Sequence, residues 1–279
     1  MNLYIDFGGT NFRYCLDDEE IYTQSSKDID LKSFLDNFLP KHNIEFIGIS
    51  YAGQVENGEI ISAPNIKMQN FKVKEYVKEK YKIDLEIDND LNCAALAENE
   101  LVSAKMLAVL YIGTGFGSAF VYNNEVIKGS HNFSGEIGHI PFQSTPFQCG
   151  CGRRDCLELS SSGSSIEKWG KHFGLNLPIY SLENFDAIKR EDADFIYENF
   201  YKGLAFGFHT ILNLFDPDTI VLGGSVVKNS SEKILSFLTK EQGRASFHRN
   251  RKKVDIKISS LKEGSLKGAK LLKGKNIVK

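Results

Sequence analysis

The run Gly135-Glu136-Ile137-Gly138-His139 is followed by Cys149-Gly150-Cys151-Gly152-Arg153-Arg154-Asp155-Cys156-Leu157-Glu158, so one histidine and three cysteines fall within eighteen positions. Soft thiolates with one imidazole are the ligand set of a closed tetrahedral zinc site, and the spacing His-x9-Cys-x-Cys-x4-Cys is compact enough for a single knuckle. His139, Cys149, Cys151 and Cys156 are therefore the expected zinc ligands. The alternative is three unpaired cysteines beside a chance histidine, since Cys149 and Cys151 stand too close for an easy disulfide.

Glycine turns supply a second chemistry. Asp6-Phe7-Gly8-Gly9-Thr10-Asn11 and Gly113-Thr114-Gly115-Phe116-Gly117 each lie between two strand-like runs. Glycines permit positive φ and close backbone approach, exposed N–H groups can face anionic oxygens, and Thr10 and Thr114 add hydroxyl donors. Neither turn has the Gly-Lys-Ser/Thr of a P-loop, and a plain hairpin turn is the competing reading of each. Asp6 sharpens the first, because a carboxylate beside a phosphate turn can hold Mg²⁺ directly or through water. Gly223-Gly224-Ser225, after the apolar run Thr219-Ile220-Val221-Leu222, is a third turn where backbone could pass close to a flat nucleotide.

The elements that must position these groups follow from periodicity. Leu3–Ile5 and Phe12–Leu16 form a hairpin around the first turn, and Phe46–Ser50 is a further apolar strand. Val73–Tyr81 reads as a helix, Leu85–Ile87 as a short strand, and Asp88-Asn89-Asp90-Leu91-Asn92 as the opening of a helix through Ala97. Met106–Ile112, the second turn and Ser118–Tyr122 repeat the first hairpin, so a weak internal duplication is expected. A long helix from about Asp192 to Leu214 stops at Asp216-Pro217. The boundary between lobes falls near Val102–Lys105, giving lobes of 1–104 and 105–279.

The chain has 279 residues, of which 42% are hydrophobic, enough for two ordinary cores. A formal charge of -2 and a pI near 6.3 give no electrostatic reason to expect nucleic acid or an anionic membrane as partner. The basic run His248–Lys253 reads as a solvated loop. Five cysteines, three of them clustered beside a histidine, fit a reducing compartment better than a disulfide framework. No apolar run reaches a membrane span and no signal-peptide pattern is present, so a cytoplasmic protein is expected.

Taken in order, the glycine turns, Asn89-Asp90-Leu91-Asn92, Gly-Glu-x-Gly-His and Cys-x-Cys-Gly-x3-Cys-Leu-Glu resemble the ROK family of bacterial sugar kinases and repressors. The resemblance runs from Asp6 to about Val226. It implies an α/β, two-lobed, ribonuclease-H-like fold of the actin-like ATPase and hexokinase type, with a zinc knuckle and with ATP and sugar in a cleft between the lobes. It further implies that Asp90 is the general base toward the attacking sugar hydroxyl, a role in which a carboxylate need only orient the nucleophile and accept its proton late. A helix cap is the competing role for Asp90. Asn89, Asn65, Glu136, His139 and Glu158 are the implied sugar contacts.

Zinc on one nitrogen of His139 would fix the other nitrogen toward a sugar hydroxyl and shape the sugar pocket without touching the phosphate; a purely structural zinc is the alternative. Asp155 stands where a glycine is common, a substitution suited to positive φ, and Ala119 and Ser225 replace glycines in the phosphate and adenosine turns. The implied activity is transfer of the γ-phosphoryl of MgATP to a hexose, glucose or a relative at O6, with N-acetylmannosamine, N-acetylglucosamine or fructose as alternatives and a homodimer as the expected assembly. A sugar-responsive repressor is disfavoured because Asp6 follows the first residue so closely that a helix-turn-helix module has no room before it. A degenerate sugar-binding protein is disfavoured by the intact Asp6, Asp90 and Glu136.

Overall fold

A computed structural model describes residues 1–62, 70–175, 177, 182, 191–244 and 253–274. The chain forms two compact units. The first comprises Met1–Leu101, Lys128–Ser134 and Leu261–Lys279, and the second Val102–Ile127 and Gly135–Ser260. The chain thus re-enters the first unit twice beyond residue 104.

The first unit is built on a five-stranded sheet of β1 (Asn2–Phe7), β2 (Asn11–Leu16), β3 (Tyr22–Ser25), β4 (Phe46–Tyr51) and β7 (Asp84–Asn89), in the order β3-β2-β1-β4-β7. Strands β1, β2 and β3 pair antiparallel, while β1, β4 and β7 run parallel. Strand β4, apolar except for Ser50, is buried throughout, as a strand covered on both faces must be. Helix α1 (Leu31–Phe38) starts at Asp30, whose side chain accepts from Ser33 N at 2.8 Å. It buries Leu31 and Leu35 completely beside Leu3, Ile5, Phe12 and Ile47, each such side chain contributing about 1.5–3 kcal/mol. The small hairpin of β5 (Gln54–Glu56) and β6 (Glu59–Ser62) turns at Asn57 and Gly58, both at positive φ. Helix α2 (Val73–Tyr81) leads into β7, and α3 (Asp90–Val102) begins at the residue after it.

The second unit repeats the plan. Strands β8 (Met106–Ile112), β9 (Phe116–Tyr122), β10 (Glu125–Val126), β11 (Thr219–Gly223) and β12 (Asp255–Ile258) lie in the order β10-β9-β8-β11-β12. Antiparallel and parallel pairings fall at the same places as in the first sheet, which is the topological form of the duplication. Around it pack α4 (Gly163–His172), the 25-residue α5 (Glu191–Phe215), α6 (Ser225–Asn229) and α7 (Ser231–Arg244). The core of this unit joins Leu110, Phe120 and Leu222 to Phe200, Leu204 and Phe208 of α5.

Helix α8 (Gly264–Lys270) belongs to the first unit and lies against β1 and β4. Its closeness rests on absent side chains: a Cβ on Gly268 would sit 1.8 Å from the Cys93 carbonyl oxygen, and one on Gly48 2.2 Å from that of Ala269. No helix among the described residues is long and apolar enough to cross a membrane.

Candidate functional site

In the first unit, Asp6, Ser50 and Asp88 form one row across β1, β4 and β7 near the carboxyl ends of the parallel strands. Ligands of open α/β sheets bind beyond such ends. Asp6 is almost completely buried; its oxygens accept from Ser50 Oγ at 3.1 Å and from Arg13 Nη1 at 3.0 Å. Burial raises its carboxyl above the ordinary value, partly offset by Ser50 and Arg13. Both oxygens thus have protein partners, and a magnesium ion held by Asp6 would have to share them or act through water.

The first glycine turn closes with Gly8 N donating to Asn11 O at 3.0 Å, and Thr10 is exposed beyond it with its carbonyl accepting from Ser26 N. Neither Gly8 nor Gly9 has positive φ. What Gly8 provides is space, since a Cβ there would stand 3.0 Å from Asn11 O.

Asp90 opens α3 directly after β7, partly exposed, with one carboxylate oxygen accepting from Leu91 N at 2.9 Å. The cap of this helix is supplied by Asn89, whose Oδ1 accepts from Leu91 N at 2.9 Å and Asn92 N at 3.4 Å. Asn89 Nδ2 donates to Gly53 O at 3.1 Å, leaving one amide hydrogen of Asn89 for any sugar hydroxyl. Burial, then the charges of Asp88, Asp90 and Asp6, push the Cys93 thiol well above its ordinary value. Asn65 lies outside the described residues.

In the second unit, Gly113 N donates to Gly115 O at 3.1 Å, and the start of α4 clamps the turn through Gly163 N to Gly113 O at 2.7 Å and Ser164 N to Thr114 O at 3.1 Å. Thr114 is exposed; Gly113, Gly115 and Gly117 do not have positive φ. The third turn lies beside the second, because β8 and β11 are parallel neighbours pairing Tyr111 with Gly223. A Cβ on Gly223 would meet the Tyr111 ring at 2.3 Å. Gly224 alone of these turn glycines has positive φ, at 90°, and a Cβ there would stand 2.4 Å from Ile112 O. The sequence argument from positive φ therefore applies to the third turn, and close packing accounts for Gly8 and Gly115.

The thiolate cluster forms as the spacing predicts. The ligand atoms of His139, Cys149, Cys151 and Cys156 all lie within 4.8 Å of one another. Cys149 Sγ is 3.4 Å from His139 Nδ1, and the sulfurs of Cys151 and Cys156 are 3.3 Å apart. Burial and the neighbouring Glu158 raise the Cys149 thiol, and burial pushes Cys156 up to about 11. A divalent cation among them would reverse that balance and make the thiolates the stable form. Donor set and closeness both fit zinc. Asp155 does not take the left-handed conformation; its carboxylate instead pairs with Arg153 through two contacts of 2.9 Å.

The residues expected to face a sugar surround the cluster. His139 turns Nδ1 toward Cys149 and Nε2 toward Glu136, whose carboxylate is 3.8 Å away and exposed. Glu158 Oε1 lies 2.9 Å from Cys149 Sγ and 4.0 Å from His139 Nδ1. The cluster is not remote from the second glycine turn, as distance in sequence suggests. A Cβ on Gly115 would stand 3.0 Å from Glu158 Oε2, and one on Gly138 would stand 2.1 Å from Phe116 O.

The sequence reading missed Arg13 and Ser50 as partners of Asp6, and Lys128 and Asn132 as partners of Asp88. Only for Arg13 is there a local signal, since a hairpin around Gly8 pairs Asp6 with Arg13 in register.

A duplicated sheet-and-helix unit, glycine turns at the strand ends and a His-Cys₃ knuckle define the class, and the chain belongs to the ROK family, whose model matches residues 3–275. The chain is 28% identical over 187 residues to a xylose repressor of Bacillus subtilis, covering 66% of this chain and 49% of the repressor. It is likewise 28% identical over 250 residues to an N-acetyl-D-glucosamine kinase of Aliivibrio salmonicida, covering 80% of this chain and 81% of that protein. Its fold matches that of a ROK hexokinase from Thermus thermophilus with a TM-score of 0.79, at 22% identity and 96% coverage of both chains. The chain spans about half the length of the Bacillus xylose repressors it matches.

Proposed function

We propose that this chain is an ATP-dependent sugar kinase that phosphorylates a hexose, glucose or a related sugar at O6, in a reducing cytoplasm. The observation that carries the reading is Asp90 at the first residue of α3, partly exposed and two residues beyond the buried Asp88, which shares a row across the sheet with Asp6. Asp90 is the general base: it holds the attacking hydroxyl and accepts its proton as the phosphoryl group moves. Asp6 assists Mg²⁺, and the turns at Gly8–Asn11, Gly113–Gly117 and Gly223–Gly224 hold the nucleotide. Glu136, His139 and Glu158 bind the sugar, with Asn89 contributing its remaining amide hydrogen. Zinc bound by His139, Cys149, Cys151 and Cys156 would supply fixed orientation of the imidazole. The similarity to an N-acetyl-D-glucosamine kinase over 80% of this chain supports a kinase and keeps N-acetylhexosamines among the candidate substrates.

The similarity to xylose repressors supports a second reading, a sugar-responsive regulator. A coupled assay of ADP release against hexoses, pentoses and N-acetylhexosamines separates the two. Turnover with one sugar well above the rest fits the kinase, whereas sugar binding by calorimetry with no ADP release from any of them overturns it in favour of the regulator.

A further inference from the structure

We propose that Lys128 and Asn132 are positioning residues for Asp90, acting through the buried carboxylate of Asp88; the role in turnover rests on the kinase reading. Asp88 is 1% exposed, and a carboxylate so buried requires a cation or several donors. It has both. Lys128 Nζ lies 2.6 Å from Oδ2, while Oδ1 accepts from Asn89 N at 2.8 Å, Asn92 Nδ2 at 2.9 Å and Asn132 Nδ2 at 3.1 Å.

Lys128 and Asn132 come from a short loop that belongs to the first unit although the residues on either side of it belong to the second. Ser134 N closes the loop onto Lys128 O at 3.1 Å, and Gly129 and Asn132 shape it with φ of 70° and 59°. Asn132 Nδ2 also donates to Val55 O at 2.8 Å, and His131 Nδ1 meets Glu56 Oε1 at 2.8 Å. The loop is thus fastened to the β5–β6 hairpin on one side and to Asp88 on the other.

The bonds that Asp88 makes bracket Asp90. Asp88 fixes the amide of Asn89 and the side chain of Asn92, and Asn89 in turn caps Leu91 N and Asn92 N. The neighbours of Asp90 are therefore linked to one carboxylate, Asn89 through its own amide and Leu91 through the Asn89 side chain, and the only ion-paired cation of that carboxylate among the described residues is Lys128. Without that cation, Asp88 gains by turning toward water, and the strand-to-helix corner moves with it. A displacement of about 1 Å at a catalytic group costs about 10²-fold in rate.

The test uses Lys128→Met, Lys128→Arg and Asn132→Gly, the glycine keeping the left-handed backbone. In steady-state kinetics, Lys128→Met and Asn132→Gly should each lose about 10- to 100-fold in kcat, with the KM values for sugar and ATP within about threefold of wild type. Lys128→Arg should restore most of the loss. Amide hydrogen exchange at Leu91 and Asn92 should rise in Lys128→Met and Asn132→Gly while the rest of the first sheet stays protected. Unchanged kcat in folded variants, or a lower melting temperature with kcat intact, overturns the proposal. Should the wild type phosphorylate no sugar, the kinase reading fails on its own account, and the exchange arm still decides the positioning: unchanged exchange at Leu91 and Asn92 overturns it.

Discussion

Glu158 stands between Cys149 and Gly115: one carboxylate oxygen lies 2.9 Å from the cysteine sulfur, and the other lies 3.0 Å from where a Cβ on the glycine would be. The thiolate cluster and the second glycine turn thus share a neighbour. Loss of a zinc ligand should then disturb more than the sugar. Cys151→Ser, assayed on folded protein, is expected to raise the KM of ATP as well as that of the sugar, each by about 10-fold or more. Gly115→Ala should raise the ATP KM and weaken zinc retention in a chelator titration. A sugar KM that rises alone in Cys151→Ser would sever the link.

Purified, untagged protein should contain about one zinc per chain. Elemental analysis decides the content, and titration of native thiols supplies a control. Zinc ligation withholds the sulfurs of Cys149, Cys151 and Cys156 from a thiol reagent, so removing the metal with a chelator should increase their reactivity. Metal-free protein with unreactive thiols would mean that packing alone holds the cluster.

Asp90→Asn keeps the shape of the side chain and can still accept from Leu91 N, so the start of α3 should survive. Turnover should fall by about 10² to 10⁴, with sugar affinity within about tenfold of wild type. Turnover near the wild-type rate would reduce Asp90 to a helix-terminal residue.

The folded pKa of Asp6 lies above its ordinary value of 3.8, mainly through burial. Native protein therefore holds the Asp6 proton more tightly than unfolded protein does. The stability Asp6 contributes is complete below its unfolded pKa and is lost as pH rises through the raised folded value. Asp6→Asn has no such loss, so its melting temperature should gain on wild type as pH rises from about 3 to neutrality. A difference that shrinks with rising pH would show that the Arg13 ion pair outweighs burial.

Gly268→Ala places a methyl onto the Cys93 carbonyl, where 1.8 Å of separation leaves no room. Alanine in an unobstructed helix interior would be worth up to about 1 kcal/mol of added stability. Here denaturant unfolding should show a loss at the upper end of the roughly 1–3 kcal/mol typical of overpacking. A neutral effect would mean that α8 does not lie against α3.

Local chemistry determined much of this protein from sequence alone. The His-Cys₃ cluster was legible because its four residues are close in the chain and few residue types suit zinc. Helix α2 and the long α5 were legible because each buries one periodic face, β1, β8 and β11 because apolar runs of strand length end at glycine, and β4 because it is a short apolar run. The hairpin of β5 and β6 was legible in principle, since Asn57-Gly58 is a turn signal, yet its short strands were passed over. Tertiary structure decided what depends on distant pairing. Helix α8 has only seven residues and little apolar content, and two glycines far apart in sequence, Gly48 and Gly268, allow it to dock. The ion pair of Asp88 with Lys128 joins a strand end to a loop forty residues later, and the approach of Glu158 to Gly115 joins the knuckle to a turn. No local pattern encodes such contacts, because burial and charge pairing are properties of the folded neighbourhood, which exists only once both sheets have formed.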